Sequence, residues 1–248
     1  MIKRAVTEAE LRLYGFCSKL YELDAFVEFR NEMQIACKQM IEKFILYQLK
    51  NGSKAFYDEV VPAFITNSID SAYSNIQNPS ELMGQKEIAN KRLKAWFNDY
   101  INKFKPYEYE VVIGPYLPNV RISKTSIELD ISGILYHSQT NTIHILTWMN
   151  DVRIMDPQWD LPSLCKFVFG KKYTENKKVV IHFLDINHRN TYSKEICMYI
   201  KTIDETDIED EHYLFLKQKI NEFEKRSNYH RIPYCIFMDC PKRKECQK

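Results

Sequence analysis

Glycine is scarce in this sequence, with six in 248 residues. A phosphate-cradling loop needs glycines at fixed spacing, and neither a Walker A loop nor a G-x-G-x-x-G run is present. No apolar run approaches the ~20 residues that cross a bilayer. The opening MIKRAVTEAELRLYG lacks the apolar stretch of a secretory leader. The expected address is therefore the cytoplasm, that of a host cell if the source is viral, and no membrane partner is expected. A dominant charge is missing too: 35 Lys and Arg against 33 Asp and Glu leave a net charge of +2. Any affinity for nucleic acid must then come from a local basic patch and not from a global field. The histidines, His137, His144, His182, His188, His212 and His230, show no H-x-x-x-H or H-E-x-x-H spacing, which removes the zincin pattern. The chain has no internal repeat and no low-complexity linker.

What is present reads as a soluble α/β chain with room for a sizeable core. Residues 7–105 form a mainly helical lobe. Thr7 and Glu10 have the spacing of a capping box, and Phe26, Phe29, Met33, Met40, Phe44 and Leu49 recur at helical spacing up to Asn51-Gly52. Two further helices are expected over residues 54–77 and 81–104, the second capped by Ser80. Its Lys86, Lys91, Arg92, Lys94 and Lys103 read as a solvated face. Residues 106–203 form a sheet core. YEYEVVI, VRISKTSIELDISGILYH and NTIHILTWM are β-rich, SQTN is a hairpin turn, DLPSLCKFVFGKKY is a crossover helix, and KKVVIHFLDI and KEICMYIKTI are further strands. Residues 204–248 hold a helix with an acidic start and a basic end, suited to the helix dipole, and a cysteine tail.

Seven cysteines, an odd number, argue against a disulfide framework in a cytosolic chain. Cys37, Cys165 and Cys197 sit singly in apolar or mixed stretches and read as small buried hydrophobes. Cys235, Cys240 and Cys246 form C-x4-C-x5-C, and thiolates that close hold a soft metal or a cluster. A fourth ligand is needed, and Cys17 in LYGFCSKLYEL is the candidate. The spacing alone does not separate a four-thiolate zinc site from an iron–sulfur cluster.

YGFCSKLYEL and PYCIFMDCPKRKEC resemble the cysteine segments of the PD-(D/E)XK exonucleases of the RecB, AddB and CRISPR-adaptation type. IELDISGILYHSQTNTIHILTWMND resembles their central hairpin, WDLPSLCKFVF their motif-bearing helix and KKVVIHFLDI the following strand. The tail departs in its first spacing, four residues where two are common. The resemblance implies a nuclease-like mixed sheet with flanking helices, and a 4Fe-4S cluster held by Cys17, Cys235, Cys240 and Cys246 that clasps the termini. It also implies phosphodiester hydrolysis with Mg2+ or Mn2+, ions that need carboxylate oxygens. Here the residues depart from the family. Tyr136 stands for the hairpin aspartate, and Thr147 and Met149 for the D/E-x-K pair. Asp160 and Leu164 stand for the helix motif's glutamine and tyrosine. Glu128 and Asp130 are the candidates for a migrated site. Trp148 and Tyr136 are expected to fill the space that a metal and its water would occupy.

The reading that results leans away from an enzyme. It is a catalytically inactive nuclease-like protein with a structural 4Fe-4S cluster, binding DNA or a partner in a replication, recombination or transcription complex. Lys242, Arg243, Lys244 and Lys248 of the tail would contact phosphates. The alternatives are an active exonuclease with rearranged ligands, and a zinc-stapled protein-interaction adaptor. A compact, Lys- and Asn-rich copy of such a nuclease fits a viral or mobile-element protein.

Overall fold

A computed structural model of the chain describes residues 5–11, 32–54, 57–76, 78–148, 159–174, 177–185 and 199–225. The fold is α/β. Helix α1 (Glu32–Asn51) buries Cys37, Met40, Ile41, Phe44, Ile45 and Gln48 along one stripe. It stops at Gly52, whose φ of 87° only glycine adopts without cost, and whose N–H donates to the Gln48 carbonyl at 2.7 Å. Helix α2 spans Val61–Ala72, shorter than the sequence pattern suggests. Helix α3 spans Pro79–Asp99 and is capped by Asn78, not Ser80: the Asn78 side chain accepts from the N–H groups of Ser80 and Glu81. Pro79 suits the first helical position, where no N–H is needed. The last expected turn of this helix is a separate π turn, Tyr100–Phe104, followed by a 3-10 turn, Pro106–Glu108.

Strand β1 (Val6–Thr7) precedes a turn closed by the expected capping box. The Thr7 N–H and hydroxyl donate to Glu10 Oε2 at 2.8 and 2.9 Å, and the Glu10 N–H donates to Thr7 Oγ1 at 3.2 Å. The remaining strands are β2 (Glu110–Ile113), β3 (Asn119–Ile122), β4 (Thr125–Glu128), β5 (Gly133–His137), β6 (Thr142–Trp148), β7 (Lys178–Asp185) and β8 (Tyr199–Ile203). Helix α4 (Leu161–Thr174) crosses from β6 to β7, and α5 (Asp210–Lys225) follows β8. Five strands form a sheet in the order β2-β5-β6-β7-β8. The β6–β7 pair is parallel and its neighbours are antiparallel. A second sheet has the order β1-β4-β3.

Alternation along β6 divides the core in two. Ile143 and Ile145 pack with Ile134, Val179, Ile181 and Phe183 beneath α4 and α5. Leu146 and Trp148 pack with Leu135 and Leu184 against α1, α2 and α3. A strand covered on both faces reads as a continuous apolar run, which is why IHIL carries little alternation. Among the described residues no helix is long and apolar enough to cross a membrane.

A candidate site of paired lysines and carboxylates

Asp160 immediately precedes helix α4, and its Oδ2 accepts the Ser163 N–H at 3.0 Å. The helix faces the sheet with Leu161, Leu164, Cys165 and Phe167. Lys166 lies among them, 1% exposed. An ammonium so placed must be paired, since an isolated buried charge costs several kcal/mol or more. Its Nζ donates to Glu8 Oε1 at 2.8 Å and to the Thr147 hydroxyl oxygen. Thr147 is the third β6 residue, after Ile143 and Ile145, on the α4 side. Glu8 follows β1, and the parallel pairing of Val6 with Ile127 carries it to the β4–β5 connection. There its Oε2 accepts the Asp130 N–H at 2.9 Å, and the Thr147 hydroxyl donates to the Asp130 carbonyl at 3.3 Å.

The Asp130 side chain faces a second lysine. Lys38 of α1 donates to both its oxygens, at 2.7 and 2.6 Å, and lies 3.4 Å from Glu42 Oε1 one helical turn on. The Ser132 hydroxyl donates to the same Glu42 oxygen at 3.4 Å. Burial pushes the Glu42 carboxyl above its ordinary value. Lys38 opposes that rise and the Asp130 charge adds to it. Glu8, Glu42 and Asp130 thus meet Lys38 and Lys166.

These residues do not fit a Mg2+ or Mn2+ centre. Such a centre takes several anionic or carbonyl oxygens on one side of the ion. Here both Asp130 oxygens are engaged by an ammonium, and the β6 residue is a neutral threonine. Among the described residues no three Asp, Glu, His or Cys side chains are grouped to hold a metal ion.

The cluster takes in Asp130 and Thr147 of the sequence-derived residues. Glu128 ends β4 in register with Thr7 and Asn119. Tyr136 does not belong with Thr147: it pairs with Ile143, four residues earlier in β6, roughly 13 Å away along a strand. The Tyr136 hydroxyl donates to Asn141 at 3.2 Å, and Lys177 Nζ lies 4.4 Å from its ring centroid. Trp148 points to the opposite face from Thr147, 2% exposed, its ring 5.8 Å from Trp96. It fills the lobe interface and not a vacated metal site, since neighbouring strand residues face opposite ways. Leu164 is fully buried. Lys86 and Lys91 of α3 and Lys103 of the π turn pair with Asp70, Glu87 and Asp99, as a solvated face does. Cys37 and Cys165 are buried thiols, and burial drives the Cys165 thiol up. Met149, Cys17, Cys197, Cys235, Cys240, Cys246, Lys242, Arg243, Lys244 and Lys248 lie outside the described residues.

Sequence reasoning missed Glu8, Lys38, Glu42 and Lys166. Lys166 alone carries a local signal, as a single charge within LPSLCKFVFG. The others look like ordinary helix-surface charges.

No family model matches the chain, and no curated protein matches it. One matching solved structure, "Crystal structure of SSO0001", is 15% identical over 90% of this chain and 93% of its own, with a TM-score of 0.29. A likeness at that score carries no argument about fold or function.

Proposed function

We propose that the chain is a catalytically silent nuclease-like protein that works by binding, to DNA or to a partner in a complex handling nucleic acid. The observation that supports this reading is the pairing of Lys38 with both oxygens of Asp130. The carboxylate best placed to act beside Thr147 is already neutralised by a resident cation. On this reading Cys17, Cys235, Cys240 and Cys246 hold a 4Fe-4S cluster, with zinc as the alternative metal. The tail residues Lys242, Arg243, Lys244 and Lys248 supply phosphate contacts, and the protein acts in the cytoplasm.

A specific observation favours a second reading. Glu8, Glu42, Asp130 and a buried lysine do converge at the end of β6. Carboxylates with a lysine are the groups that metal-assisted phosphodiester hydrolysis uses, so an exonuclease with rearranged ligands would be built from them. One experiment separates the two. Protein purified without oxygen is assayed for iron, sulfide and zinc. It is then mixed with single- and double-stranded DNA in Mg2+ or Mn2+ at about 50 and 200 mM salt, a range over which phosphate contacts lose affinity steeply. Intact DNA with salt-dependent binding is the expected result. Cleavage that disappears in Asp130→Ala overturns it in favour of the enzyme. Neither cleavage nor binding, with zinc in place of iron, leaves the protein-interaction adaptor.

A further inference from the structure

Three neighbouring strands place histidines on the face covered by the helical lobe: His137 at the end of β5, His144 in β6 and His182 in β7. They form a ladder running inward. His137 is half-buried, its Nδ1 2.8 Å from the Thr140 hydroxyl oxygen. His144 is half-buried with its Nε2 enclosed. His182 is buried. His144 Nδ1 and His182 Nε2 are 2.7 Å apart, so one ring donates its N–H to the other's lone pair. The outer nitrogens, His144 Nε2 and His182 Nδ1, are buried with no hydrogen-bond partner. A neutral imidazole has one N–H and one lone pair. Whichever ring donates, the pair therefore keeps one enclosed lone pair and one enclosed N–H.

The cover over this pair is aromatic. The Phe104 ring meets His182 edge-on at 5.1 Å and stacks on Tyr100 and Tyr109. Tyr109 meets His144 at 4.8 Å and His137 at 5.3 Å. Phe104 closes the π turn, and π turns inside helices recur at sites that move or bind. Two more enclosed polar atoms without partners, the Tyr100 hydroxyl and Trp148 Nε1, lie in the same aromatic layer. The titratable groups facing the pair are His137 from β5 and Tyr109 from the segment before β2. Among the described residues, neither a carboxylate nor an ammonium acts on His144 or His182. Burial comes first for both rings, then the neighbouring histidine.

We infer that the His144–His182 pair is a proton-operated latch between the sheet and the π turn. A proton reaching the enclosed lone pair, by way of His137 at the rim, turns both outer nitrogens into donors and places a full charge beneath Phe104 and Tyr109. Among the described residues no carboxylate is recorded against either ring. The charge is relieved when the Tyr100–Phe104 turn lifts and admits water. The lobe interface is held when both rings are neutral and released when the pair is charged. Burial holds both rings below the ordinary histidine range, His144 at about 4 and His182 at about 3, so release belongs to acid conditions.

The test uses the full chain. Amide exchange across 100–104 is followed from pH 7.5 to about 2.5, corrected for intrinsic rates, beside the 15N ring resonances of the three histidines. The expected result is a rise of about tenfold or more in exchange, local to that turn, at the pH where His144 and His182 take up protons. A His144→Phe, His182→Phe variant should keep the turn protected to that pH. The same acid opening in the variant overturns the latch. So does titration of His182 near its ordinary value with the turn still closed. The second readout needs only the natural chain, so a variant that fails to fold leaves the decision intact.

Discussion

Removing Glu8 should take away a large part of the fold's stability. Lys166 and Glu8 have side-chain exposures of 1% and 7%, so the Lys166 ammonium would have no water to turn to. Truncating one member of a buried pair costs about 3–5 kcal/mol, because the charge left behind loses the opposite charge beside it. Glu8→Ala and Lys166→Met should each lose that much. With a domain's whole stability of about 5–15 kcal/mol and a urea slope of about 2–3 kcal/mol/M, the midpoint should fall by about 1–2 M. The double variant Glu8→Leu, Lys166→Met strands no charge. It still leaves the Asp130 N–H without its acceptor, a residual cost of about 1–3 kcal/mol. It should therefore be no less stable than either single variant, with a coupling of about 3 kcal/mol or more. Urea titrations of the four proteins at pH 7, followed by far-UV circular dichroism, measure this. Losses that simply add would refute the reasoning, since additivity means that the two groups do not share one buried interaction.

Two further outcomes follow from the packing and the histidines. A Cβ at Gly170 would lie 2.8 Å from Val179 Cγ1 and 2.9 Å from Ile145 Cδ1. Gly170→Ala should therefore push α4 off the sheet and cost about 1–3 kcal/mol in thermal or urea unfolding, despite alanine's better helix propensity. Because folded His182 stays neutral to about pH 3 while an unfolded histidine protonates near 6.5, the unfolded chain binds the extra proton. Stability should be full above pH 6.5 and fall as pH drops below it, by about 2 kcal/mol at pH 5 for His182, with a smaller share from the more exposed His144. His182→Phe should flatten that slope.

The elements were largely legible, because their signals are local. Gly52 ends α1 through its own backbone, the Thr7–Glu10 box closes as spaced, and the SQTN turn joins β5 to β6. The misses came where a local rule had a competitor. Asn78 caps α3 because Pro79 fits the first helical position, which puts the cap two residues before Ser80. The hairpin alignment put Tyr136 beside Thr147, but a strand's pairing is set by its turn and by which faces are buried. That pairing sends Tyr136 to Ile143 and brings Asp130 close to Thr147.

The candidate site was illegible for a different reason. Its members come from β1's far end, α1, the β4–β5 connection, β6 and α4, and the Lys166–Glu8 contact joins residues 158 positions apart. No spacing rule reaches that far, and Glu8, Lys38 and Glu42 each look like a solvated helix-face charge, while Lys166 stands out only as a lone charge in an apolar run. Only burial separates Lys38 and Lys166 from Lys91, which pairs with Glu87 in full solvent and contributes little. The same chemistry, an ammonium beside a carboxylate, is ornamental on α3 and structural on α4. That contrast bears on the choice between a silent and an active site. A lysine that must stay charged and paired to keep α4 seated is poorly placed to exchange partners during hydrolysis. The Glu8–Lys166 half of the cluster therefore belongs to the fold. Any chemistry would have to come from the more open half, where Lys38, Glu42 and Asp130 are 16%, 22% and 24% exposed, and where one ammonium must leave before a metal could enter.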